Sequence, residues 1–178
     1  MYKRQAFGDP RPTIRHLLTH TSGINGYIPH RDELAPVALK RAFLTAMHVD
    51  SSFNRQIRYA DVNFLYLGWI IEKLCQAPVQ EVIANRILAP LQMTGATFNP
   101  APATCVPTEI QPQRGLIRGT VHDPKAYILG AHCGCAGLFA TLDDLLTFSR
   151  ALVETNLAGL LTPAMVDCLF SDQTPLAG

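Results

Sequence analysis

The sequence predicts a helix-dominated globular domain, and three observations lead there. Six segments place apolar residues at helical spacing, several of them opened by a Thr or Asp cap or by a proline. The period-two alternation that marks strands is scarce. A length of 178 residues, with 48% apolar and 16% charged side chains, suffices for the core of one domain.

The elements follow in chain order. Pro12, whose missing N–H costs nothing ahead of a helix, leads into a short helix from Thr13. That helix turns Ile14, Leu17 and Leu18 inward, and a polar turn ending in Gly23 stops it. Arg31 to Val49 reads as one helix with Asp32 as its N-cap and Pro36 tolerated in its first turn. Asp61 to Gln76 is the clearest helix. Its Val62, Leu65, Trp69, Ile70 and their apolar neighbours leave almost no polar face, so burial nearly all round is expected. Gly68 within it points to the close approach of another element.

Val79 to Leu88 is amphipathic and closed by Pro90. Residues 97–124 hold five prolines (100, 102, 107, 112 and 124) and no sustained period, which predicts a long irregular connection of the kind that lines a cleft. Ala136 to Ala140 is a short apolar run. Thr141-Leu142-Asp143-Asp144 is a capping pattern for a helix through Val153, and Thr162-Pro163 opens a last helix through Phe170. Residues 1–10 are expected to be unstructured or a foreign start.

Composition excludes several function classes. A net charge of +1 gives no electrostatic case for nucleic acid or an anionic membrane. No apolar run reaches the roughly 20 residues of a membrane helix. Met1 to Gln5 has no apolar stretch behind it and does not read as a signal peptide. Five cysteines form an odd set, which favours reduced thiols and a cytoplasmic, reducing compartment. An extracytoplasmic place stays open if the natural N-terminus lies further upstream. Walker, dinucleotide, His-Glu-x-x-His and Gly-x-Ser-x-Gly patterns are absent, so no cofactor is expected.

Five stretches carry a resemblance. Thr13 to Gly23 contains His-Leu-Leu-Thr-His-Thr-Ser-Gly; Arg58-Tyr59-Ala60-Asp61 precedes the buried helix; Pro90-Leu91-Gln92-Met93-Thr94 closes the amphipathic one; Gly119 to Pro124 and Gly134 to Leu145 complete the set. Together, and in this order, they resemble the serine β-lactamases, penicillin-binding proteins and their esterase relatives. The resemblance implies an α/β (α+β) fold of the β-lactamase/DD-peptidase type. This chain would be mainly its helical part, a single partial domain over 1–178, incomplete at both ends.

The resemblance also implies chemistry: a Ser in Ser-x-x-Lys attacks an amide, ester or β-lactam carbonyl, and a Tyr-x-Asn tyrosine exchanges its proton. The candidate catalytic residues are Tyr59 and Asp61. Without the resemblance, Tyr59 is a half-buried packing residue and Asp61 a helix N-cap. With it, Tyr59 is the proton-exchanging phenol, its ring projecting into a cleft. Asp61 stands where the family has Asn; once ionised it only accepts, so it would hold a cation but not donate to substrate. That departure leans toward an esterase- or peptidase-like relative.

Lys40, Lys73 and Lys125 follow Val37, Ile70 and His122 at the three-residue interval, so Ser-x-x-Lys is absent, as is a Lys/His-Thr-Gly strand. The expectation is a serine hydrolase whose nucleophile lies outside this chain. The isolated chain would be inactive, with Tyr59 idle for want of the motif lysine. Its substrate would be a small molecule or peptidoglycan-like. Two alternatives stand beside it: a non-catalytic binding module of the penicillin-binding type, and a thiol or metal protein centred on His132 to Cys135. His132-Cys133-Gly134-Cys135 has ligand chemistry without the spacing of structural zinc, so no metal is expected. Cys135 also replaces a common family His. His16 and His20, four apart, are read as structural, and Ser22 as a turn hydroxyl.

Overall fold

Three prolines and a run of caps set where the helices begin. In the computed structural model, residues 9, 11–46, 48–130, 133–154, 156–174 and 176 are described. The expectation for residues 1–10 therefore falls almost wholly outside them. Helix α1 (Ile14–Leu18) is closed at its start by a reciprocal cap between Thr13 and His16. Of its apolar side chains only Leu17 reaches the core, while Ile14 and Leu18 stay half exposed.

The helix expected from Arg31 begins later. Arg31–Glu33 form a single 3-10 turn, Leu34 is extended, and α2 runs Pro36–Ala46. A proline ring collides with the carbonyl four residues back and disfavours helix in the residue before it, so the α-helix starts at Pro36 itself. Asp32 accordingly caps nothing and takes the Arg31 guanidinium at 2.8 Å.

Helix α3 (Val62–Cys75) is the axis of the larger core. Its Val62, Leu65 and Tyr66 pack with Leu17, Leu39, Phe43, Val121 and Ala126. The Tyr66 hydroxyl donates to the Phe43 carbonyl at 2.6 Å, and burial pushes its pKa far up. The buried residues of α3 all fall in its first half, where Phe64 and Leu67 are partly exposed; Lys73 and Leu74 near its end face solvent. A second core gathers Leu88, Leu91, Met93 and Leu157, with Phe148 and Leu152 packed on it. It joins α4 (Val79–Ile83), which widens into π geometry over Ala84–Leu88, to the later helices.

Within residues 97–124 the structure adds order that periodicity does not reveal. Strands β1 (Glu109–Gln111) and β2 (Gly115–Ile117) pair antiparallel, Ile110 opposite Leu116. Strands of three residues are too short to show alternation, and Gly115 at φ +65 supplies the left-handed residue of a tight loop. Helix α5 (Pro124–Ile128) follows, its first turn capped by Asp123, which accepts from the Ala126 amide at 2.7 Å. The Ala136–Ala140 run yields single rungs, Cys133 to Ala136 and Thr97 to Phe139.

Helix α6 (Leu142–Glu154) carries the expected capping box. Thr141 Oγ1 accepts from the Asp144 amide at 3.1 Å, and the Asp144 carboxylate accepts from the Thr141 amide at 3.0 Å. Helix α7 (Pro163–Phe170) is capped by Thr162. Among the described residues no helix is long and apolar enough to cross a membrane.

Gly68 has the close neighbour expected of it. The backbone of Gly134 lies against it, and a Cβ on Gly134 would come within 2.0 Å of the Phe64 carbonyl. Backbone cannot yield as a flexible side chain does. Gly134→Ala is therefore expected to lower the unfolding free energy by about 1–3 kcal/mol, read as an earlier urea midpoint at unchanged slope.

Candidate functional site

The turn after α1 is held by one buried side chain on α3. His20 takes φ +55, which swings its ring off the helix and toward α3. Its Nδ1 then accepts from the Ala60 amide at 3.3 Å and meets the Asn63 carboxamide nitrogen at 3.1 Å. An amide N–H can only donate, so Nδ1 is unprotonated and the neutral ring carries its proton on Nε2. Burial holds the His20 pKa below the ordinary histidine value. Asn63 Oδ1 in turn accepts from the Ser22 hydroxyl at 2.7 Å, and Ser22 Oγ accepts from the Ile24 amide at 3.2 Å. Ser22 is thus a turn hydroxyl with a second, long-range duty.

His16 does something separate. Its Nδ1 accepts from the Thr13 amide at 3.1 Å, and its ring packs on Phe53 at 4.8 Å. Because α1 ends at Leu18, the two histidines do not share a helical face. Both serve structure.

The segment 50–58 lies along this turn, with Asn54 and Arg58 amides donating to the Thr21 and His20 carbonyls at 2.9 and 2.8 Å. Gly23, at φ +64, allows that approach, since a Cβ there would meet the Phe53 backbone at 2.8 Å. The result delivers Tyr59 and Asp61 to the mouth of α3. Tyr59 is 80% exposed and tilts its ring on His20 at 4.7 Å.

Tyr59, Asp61, Arg58, Ser52 and Lys125 line one cleft of about 190 Å³, floored by Gly23 to Gly26. Arg58 is paired with Asp50 at 2.9 Å. The Ser52 hydroxyl and amide, with Arg58, hold the Asp50 carboxyl below the usual range.

Asp61 precedes α3, yet its side chain makes no capping bond. Its carboxylate faces the Lys125 ammonium in a direct ion pair, with side chains 23% and 12% exposed. The expected capping role is therefore corrected: a cation outbids the helix amides. The partner of Asp61, Lys125, is a residue that the search for Ser-x-x-Lys passes over. The signal was available in Asp123-Pro124, a cap followed by a proline, which starts the short helix bearing Lys125.

His122 stands apart from the cleft, bonded to Glu109 of β1 at 2.6 Å on an exposed surface. Cys133 and Cys135 touch each other at 3.4 Å between sulfurs, while His132 lies outside the described residues. Among the described residues no three His, Cys, Asp or Glu side chains converge as metal ligands.

Comparison with known proteins gives these features a context. The Beta-lactamase family profile matches residues 3–174. The chain is 32% identical over 119 residues to an Escherichia coli K12 protein named "Putative D-alanyl-D-alanine carboxypeptidase", covering 57% of this chain and 26% of that one. Its fold is similar to the D-stereospecific amidohydrolase from Streptomyces sp., with a TM-score of 0.61, 25% identity, and coverage of 89% of this chain and 51% of that one. FmtA from Staphylococcus aureus matches at a TM-score of 0.68 and 20% identity, over 92% of this chain and 46% of that one. The chain thus spans about a quarter of the curated relative it matches and about half of the solved structures.

Two measurements probe the cleft. A double-mutant cycle on Asp61→Asn and Lys125→Met should show each single change costing about 1–3 kcal/mol, between the exposed and buried limits for ion pairs. The two costs should be non-additive by about 1 kcal/mol; additive losses would mean the pair carries no coupling. The second is pH dependence. His20 and His16 both titrate below the ordinary value in the folded chain, with burial the leading cause. The unfolded chain therefore binds protons first as pH falls, and their contribution, full above about pH 6.5, is lost below it. Chemical denaturation at pH 7.5 and pH 5 should show the acid-side loss, and His20→Asn should flatten it.

Proposed function

Because this chain belongs to the Beta-lactamase family, we propose that it forms the cleft-bearing part of a serine hydrolase acting through an acyl-enzyme. The substrate we infer is an amide of D-amino-acid type, as in a peptidoglycan-like peptide. The names of the carboxypeptidase and amidohydrolase relatives support that substrate class. So does Asp61, whose carboxylate cannot donate to a β-lactam carbonyl as an amide side chain would. One observation carries the reading: a phenol and a carboxylate from the segment before α3 and a lysine from α5 line the same cleft.

In this reading Tyr59 exchanges the proton of the attacking hydroxyl. A phenol does so only where positive charge stabilises the phenolate. Of the two cations that line the cleft, Arg58 is paired with Asp50, and Lys125, whose ammonium Asp61 fixes in place, is the one assigned to the phenol. Asn63, through His20, holds the ring on which Tyr59 rests. The nucleophile, a serine of Ser-x-x-Lys, has no counterpart among these 178 residues and is assigned to a part of the protein outside them.

The test uses a fluorescent penicillin and a fluorophosphonate. The 178-residue chain alone should show no label that survives denaturation. A protein that also carries the Ser-x-x-Lys segment should label, and Tyr59→Phe should slow its acylation roughly 10²–10⁴-fold. Denaturation-resistant labelling of the short chain, abolished by Tyr59→Phe, would place a nucleophile inside it and overturn the assignment.

A further inference from the structure

Beside the cleft lies chemistry that acyl transfer does not use. Residues 133–136 fold back on themselves, with the Cys133 amide donating to the Ala136 carbonyl at 3.4 Å. The thiols two residues apart thereby come onto the same side, their sulfurs 3.4 Å from one another. The turn cannot relax outward easily, because Gly134 between them is wedged against the Phe64 carbonyl and Gly68 of α3. Cys133 is 7% exposed and Cys135 partly exposed, so only a small reagent reaches both.

We propose that Cys133 and Cys135 form a peroxide-responsive dithiol, a modification site at which the chain acquires and loses an intramolecular disulfide. The chemistry balances in two steps. The Cys133 thiolate attacks one oxygen of hydrogen peroxide, breaking the O–O bond to give a sulfenic acid and hydroxide, which takes a proton to become water. The Cys135 sulfur then attacks Cys133 Sγ, forming the S–S bond and expelling the sulfenic oxygen, which leaves as a second water with the Cys135 proton. Two thiols are oxidised by two electrons, and one peroxide is reduced. An added dithiol reverses the change by thiol–disulfide exchange.

The hydrogen bonding assigns these roles. Cys133 Sγ sits 3.7 Å from the Ala136 carbonyl and donates to it, leaving its lone pairs to the Cys135 S–H. That bond holds the Cys133 thiol below its usual range and pushes Cys135 up. Cys133 is thus the attacking sulfur and Cys135 the resolving one. Cys168 on α7 is more exposed than either and, among the described residues, makes no thiol–thiol contact, so it serves as the internal comparison. The proposal is independent of the acyl-transfer reading, since nothing in it requires a nucleophilic serine.

The test treats the purified chain with stoichiometric hydrogen peroxide, blocks remaining thiols with iodoacetamide and maps the tryptic peptides. The peptide 126–150 contains Cys133 and Cys135 and no other cysteine. It should lose two hydrogens and escape alkylation before Cys168 is oxidised, and regain both sites after dithiothreitol. In Cys135→Ser, Cys133 should stop at the sulfenic acid and be trapped by dimedone. Alkylation of both thiols while Cys168 oxidises would overturn the proposal. So would direct addition of two oxygens to Cys133 in the unsubstituted chain, or a dimedone adduct at Cys168 in preference to Cys133 in the variant.

Discussion

The carboxamide of Asn63 is the point on which the cleft depends. It is fully buried, and a buried amide without partners costs about 1–3 kcal/mol. Its oxygen accepts from Ser22 and its nitrogen reaches His20, so the turn after α1 is fastened to α3 at two places by one side chain. With that turn fixed, its carbonyls pair with the 50–58 segment, and this strap carries Arg58 and Tyr59 to the mouth of α3. The Thr-Ser-Gly turn contributes no reacting group. It sets where the side chains that line the cleft stand.

Much of the scaffold was legible in the sequence because its signals are local. Thr141 with Asp144, and Thr162 with Pro163, mark helix starts through bonds that close within three residues. Gly68 inside an apolar helix announced a close neighbour, which proved to be Gly134. The failures share a cause. Pro36 moved a helix start because its ring acts on the residues before it, and the hairpin at 109–117 has strands too short for any period to show. At the candidate site, Tyr59 and Asp61 were named through resemblance alone. Lys125 was not, because its partner lies 64 positions away, and a pairing at that distance is made only by tertiary packing of α5 near α3.

The Asp61–Lys125 pair also changes what the cleft is chemically. A carboxylate at a helix start would ordinarily turn to the free amides of the first turn. Here an ammonium, largely withdrawn from water, offers a stronger bond, because charge-assisted contacts gain as solvent is excluded. The first turn of α3 forgoes a side-chain cap, and the cleft gains a fixed cation beside a phenol.

The division of the interior into two clusters has a consequence for how this chain can vary. The cluster around Val62, Leu65 and Tyr66 supports the turn, the strap and α5, while the cluster of Leu88, Leu91, Met93 and Leu157 binds α4 to α6. Substitutions that share no partners add independently. Apolar exchanges in the second cluster can therefore accumulate without retuning the cleft, whereas the first admits change only in concert. Drift and invention have been given separate rooms.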